Sequence, residues 1–180
     1  MKAALRYVLQ GLGLTTAFMA SGAGAATYEE MQRLEAAFPP GSVVICKSDT
    51  PGDGKFKKPT TMTARGTIVS QKRGLTTYDI SATWLPEGSR TGMTLVYRMS
   101  QRSDGNGQYS RIDPASLSIS MSGAGPEGEK AVLEGFRTRF AAGESFAPYS
   151  QTEITDFPDY ITRNPGEPPV YCHQDHLTHG

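Results

Sequence analysis

From Thr77 to Trp84 polar and apolar side chains alternate one for one. Tyr78, Ile80, Ala82 and Trp84 fall on one side of an extended chain, and Thr77, Asp79, Ser81 and Thr83 on the other. After a turn at Pro86-Glu87-Gly88 the pattern returns, with Met93, Leu95, Tyr97 and Met99 set against Thr94, Val96, Arg98 and Ser100. Beyond Asp104-Gly105-Asn106-Gly107, a strong hairpin signal, Leu117, Ile119 and Met121 alternate with serines. Upstream, Ser42–Lys47 reads as a short buried strand and Asp49–Pro59 as a loop. Thr61–Gln71 reads as a further strand that turns at Lys72-Arg73-Gly74. Consecutive strands joined by short turns pair antiparallel, with one face wet.

Two segments carry helical spacing. Over Thr27–Phe38, Met31, Leu34 and Phe38 make one apolar stripe, Thr27 and Glu30 form a capping box, and Pro39-Pro40-Gly41 ends the run. Over Glu129–Ala141, Val132, Leu133, Phe136 and Phe140 are spaced for a helix with Gly135 as its weak point, and a strand is the alternative. Thr152–Phe157 reads as one more short strand, and the irregular Asn164–Pro169 leads into a terminal tail. The predicted fold class is α+β and mainly β: an antiparallel sheet, small barrel or sandwich with an N-terminal amphipathic helix and one later helix.

The first 25 residues differ in kind. Lys2 and Arg6 precede an apolar stretch that runs to Ala20, and Ser21-Gly22-Ala23-Gly24-Ala25 offers the small residues of a cleavage site. They read as a signal peptide, which leaves 26–180 as a single exported domain, periplasmic or secreted, with a flexible C-terminal tail at about 173–180. No later apolar run reaches the ~18–20 residues of a membrane-spanning helix, so no transmembrane segment is expected once the signal is removed. The exported part has 16 basic and 18 acidic groups, a balance that argues against a nucleic-acid binder.

In an oxidising compartment the only two cysteines, Cys46 and Cys172, are expected to form a structural disulfide. The rival reading is a reactive thiol served by His173, but neighbours in a strand point to opposite faces. His173, His176 and His179 are all the histidines of the chain, and with Cys172 and Asp175 they could ligate zinc or copper. The plainer reading of that segment is a solvated tail and no cofactor at all. Residues 42–111 hold eleven basic and five acidic groups, and residues 112–180 four and ten. Lys55, Lys57 and Lys58 are the sharpest basic group, a patch for an anionic partner unless the two halves cancel in the fold.

Tyr78, Trp84, Tyr97 and Tyr109 either line a ligand pocket in the mouth of a barrel or fill its core. The motifs of nucleophilic, zinc-dependent and phosphate-loop chemistry are missing from the chain. The expected role is therefore a non-catalytic binding or interaction domain of the cell envelope, whose partner is an envelope protein or a small apolar ligand. Two alternatives stand beside it. One is a transition-metal protein that uses the tail histidines. The other is a hydrolase that brings together two carboxylates from Asp79, Glu134, Glu153 and Asp156.

Overall fold

A computed structural model describes residues 24–52 and 58–175. In chain order the elements are helix α1 (Tyr28–Ala37), strands β1 (Val43–Thr50), β2 (Thr60–Lys72), β3 (Leu75–Pro86), β4 (Met93–Ser103), β5 (Gly107–Ile112) and β6 (Ser118–Met121), and helix α2 (Pro126–Phe140). Strands β7 (Ser145–Pro148), β8 (Thr152–Asp156), β9 (Asp159–Thr162) and β10 (Val170–Gln174) complete the chain. All ten strands belong to one antiparallel sheet in the order β7-β5-β4-β3-β2-β1-β10-β9-β8, with β6 also on β4.

The two ends of that order, β7 and β8, are consecutive in the chain. Only the single turn Tyr149–Gln151 separates them, so the sheet has curled until its edges nearly meet. The result is a nearly closed barrel. Tyr149 ties the seam: it is buried, its hydroxyl donates to the carbonyl oxygen of Asp104, and its ring lies 6.0 Å from that of Tyr28.

Helix α1 starts where its capping box dictates. Thr27 Oγ1 accepts from the Glu30 amide at 3.2 Å, and Glu30 Oε2 accepts from the Thr27 amide at 2.8 Å. These contacts hold the Glu30 carboxyl below its ordinary pKa. Replacing Thr27 with Ala is expected to cost about 1 kcal/mol in urea unfolding, the usual value of an N-cap side chain. An unchanged midpoint would show that the cap contributes nothing here. At the other end of the helix, Gln71 Nε2 donates to the carbonyls of Glu35 (3.1 Å), which also accepts from the Phe38 amide, and of Phe38 (3.0 Å). Gln71 reaches them because the β2–β3 register shifts between Ile68 and Ser70. Without that bulge the inner face would continue through Ser70. With it, Gln71 lies opposite the buried Thr76 and points inward.

Met31, Leu34 and Phe38 of α1 are buried against Val44, Ile68 and Cys172 on the inner face of the sheet. Helix α2 forms as its spacing predicts, and Gly135 does not break it. It packs outside the barrel against β6, where Glu129 Oε1 accepts from the Met121 amide at 2.7 Å, and its apolar stripe is only half-buried.

Several sequence expectations need correction. β1 continues past Lys47 to Thr50, so the following loop starts later, and Asp49 Oδ1 accepts from Thr61 Oγ1 of β2 at 2.6 Å. β5, β7 and β9 escape the alternation pattern because each is short and takes its stability from neighbours already in place. The segment from Val170 is a strand through Gln174, not the start of a flexible tail, because β1 and β9 flank it on both sides.

Candidate functional site

The inner faces of the strands do not fill the barrel. On β2 the inward positions are Met62, Ala64, Gly66 and Ile68, and the two small residues in the middle leave room. Across from them stand Tyr78 and Ile80 of β3, Tyr97, Met99 and Gln101 of β4, and Gln108 of β5. Val44 and Cys46 of β1, Tyr160 and Thr162 of β9, and Val170 of β10 complete the wall, while Met31, Leu34, Glu35 and Phe38 of α1 lie across it. Together they bound a partly enclosed, mainly apolar cavity of about 290 Å³. That is close to the lower end of the ~300–1,000 Å³ typical of small-molecule sites.

The polar groups in this wall are few. Burial raises the hydroxyl pKa of Tyr97, and burial pushes that of Tyr160 up to about 12. Tyr78 is raised further, first by burial and then by the nearby Tyr160 and Glu35. All three are therefore neutral hydrogen-bonding groups at physiological pH. Among the described residues Glu35 is the one lining residue of ionisable carboxylate, amine, guanidine or imidazole type. Its Oε1 accepts a hydrogen bond from Ser103 Oγ at the end of β4.

Of the four aromatics expected around a pocket, Tyr78 and Tyr97 line the cavity. Trp84 and Tyr109 do not. Trp84 shares the inner face but lies beyond the lining, paired in register with Met62 and Met93. Tyr109 points outward because its neighbour Gln108 points in. Its ring sits 5.0 Å from that of Phe146 and 3.9 Å below the Arg102 guanidinium.

Cys46 and Cys172 are bonded as expected. They are directly opposite each other in the β1–β10 register, with Cα atoms 4.1 Å apart, and Cys46 forms part of the cavity wall. His173, next in the strand, is exposed on the outer face opposite Ile45. His176 and His179 lie outside the described residues, as do Lys55, Lys57 and almost all of the expected signal peptide. Lys58 is exposed. No group of three metal-ligating side chains occurs among the described residues, where Asp175 pairs with Arg65 at 2.6 Å.

The four carboxylates proposed for hydrolysis are not brought together. Asp79 is held by Arg98 on the outside of β3 and β4, Glu134 by Arg137 on α2, and Glu153 by Arg163 at the β8 edge, while Asp156 is exposed. The Arg98 guanidinium holds the Asp79 carboxyl below its ordinary pKa. Charge cancellation between the basic and acidic stretches is partial. Among the described residues Arg65–Asp175 and Arg102–Glu144 join them, whereas Arg98–Asp79, Arg137–Glu134 and Arg163–Glu153 each stay within one stretch.

Sequence reasoning missed Glu35, Gln101 and Gln108. The signal for Glu35 was present, since Met31, Leu34, Glu35 and Phe38 fall at i, i+3, i+4 and i+7, which puts a carboxylate inside the apolar stripe. Comparison of the chain with protein-family models, with curated proteins and with solved structures finds no match in any of the three. Among the described residues no helix is long and apolar enough to cross a membrane.

Proposed function

We propose that this protein is an exported, non-catalytic binding protein of the periplasm or extracellular space, which holds a small, largely apolar ligand inside its barrel. The observation that carries the reading is the cavity itself: an apolar space walled by strands from around the barrel and covered by α1. An empty apolar cavity costs stability, and Ala64 and Gly66 sacrifice packing that larger side chains would provide. Such a loss is reasonable where the space is used. The signal-like N-terminal pattern and the disulfide support export.

Filling the space tests the reading. A Cβ built on Gly66 meets only Ile80 Cγ1 at 3.6 Å and the Tyr78 ring at 4.0 Å, ordinary contacts, so the backbone accepts a side chain there. The wild-type protein is expected to bind the neutral apolar dye N-phenyl-1-naphthylamine with saturable fluorescence enhancement. Gly66→Leu is expected to weaken that binding at least about tenfold while the protein stays folded by circular dichroism. Ala64→Ile, on the same face, serves as a second filling variant. Absence of saturable binding by the wild type, or unchanged binding by both folded variants, overturns the reading.

A further inference from the structure

The single carboxylate that the described residues place in the cavity wall belongs to α1, on the face that covers the barrel. Met31, Leu34 and Phe38 of that face are buried apolar residues, and Glu35 stands among them. We propose that the cavity selects apolar molecules that carry a cationic, amine-type head group, with Glu35 as the residue that reads the head. The inference rests on the binding role argued above and specifies the ligand chemistry of that site.

The charge balance of the wall carries it. Among the described residues no Lys, Arg or His lines the cavity. Glu35 is met there by the Ser103 hydroxyl, which donates a hydrogen bond but supplies no charge, and it lies near the neutral Tyr78 hydroxyl. Lys72 and Arg73 border a separate groove at the β2–β3 turn, which Glu35 also touches. Glu35 therefore borders both the groove and the inner space, and among the described lining residues the cations belong to the groove alone. A carboxylate beside apolar surface is stabilised by an opposite charge brought to it. An ammonium group supplies that charge and donates hydrogen bonds, whereas a carboxylate head would meet like charge. Gln101, Gln108 and Tyr78 lie toward the α1 end beside Glu35, and Met62, Ala64 and Ile80 continue toward the far end, with Tyr97 paired to Ile80 between them, leaving room there for a hydrocarbon chain.

Competition against N-phenyl-1-naphthylamine at neutral pH, with decylamine, decanol and decanoate below their aggregation concentrations, makes the test. These share one chain and differ in the charge of the head. The wild type is expected to bind decylamine at least about tenfold more tightly than decanoate, with decanol between them. Glu35→Gln keeps the shape and an acceptor for Ser103, and should bring decylamine and decanoate to within about threefold while leaving decanol unchanged. Equal affinities for the three ligands in the wild type overturn the inference, as does a preference for decylamine that survives Glu35→Gln. In either case decanol still competes and the cavity reading stands. If the dye itself fails to bind, the cavity reading fails and this inference with it.

Discussion

Removing the Cys46–Cys172 bond is expected to lower the unfolding free energy by about 4–5 kcal/mol. The cysteines are 126 positions apart, so the bond deprives the unfolded chain of a very large set of conformations. In the folded protein it joins residues that the β1–β10 register already places opposite each other, so little of the native structure depends on it locally. The effect should therefore appear mainly through the unfolded state. Urea unfolding of the oxidised protein against the double variant Cys46→Ser/Cys172→Ser measures it, because the double variant leaves no stray thiol. A difference below about 1 kcal/mol would show that the unfolded chain gains little freedom when the bond is lost, contrary to the chain-entropy account.

The second large effect is expected at Leu95. This residue is only 2 % exposed, the least exposed position of β4, and its side chain points inward with Ala82 of β3 and Ile119 of β6 opposite on either side. Leu95 is not among the residues that line the cavity. Leu95→Ala removes apolar contact and leaves a void that rigid strands close poorly. A loss of about 2–5 kcal/mol is expected in urea unfolding, with the dependence on urea concentration unchanged. A loss under about 1 kcal/mol would mean that the barrel repacks around the missing atoms and that this end is not tightly packed.

Legibility followed the strength of local signals. The α1 cap, the Lys72-Arg73-Gly74 turn and the long strands β2 to β4 could all be read from sequence, since each is favoured by its own residues. At the turn, Arg73 and Gly74 both take positive φ, 54° and 74°, as a tight hairpin requires. β5, β7, β9 and β10 were not legible. Five residues such as Val170–Gln174, set between a proline-rich stretch and the end of the chain, hold no periodicity that distinguishes a strand from a tail. They become a strand because β1 and β9 present unpaired backbone groups on both sides.

The candidate site divides the same way. Alternation identified Tyr78 and Tyr97 as inward-facing, and it marked Trp84 as inward too, yet it could not say where along the barrel the space would open. Tyr109 was assigned to the wrong face because β5 itself was not seen, and without a strand there is no register to decide which neighbour points in. Glu35 is the most instructive omission. Helical spacing put it on the apolar face, but attention to the apolar members of a stripe hides the polar one among them.

By itself the sequence determined the fold class, the antiparallel pairing of β2 to β4, helix α1 and the one disulfide that two cysteines allow, while for α2 it left a strand as the alternative. These follow from periodicity, turn chemistry and residue count, which act over a few neighbours or admit a single solution. Tertiary structure alone decided that the sheet curls until β7 and β8 nearly meet, that a bulge beside Ser70 turns Gln71 toward α1, and that Ala64 and Gly66 share one cavity wall with Tyr78, Tyr97 and Glu35. A cavity is the space left by residues far apart in the chain. Its volume and the placing of Glu35 in its wall depend on which strands close around it, and no local pattern records that.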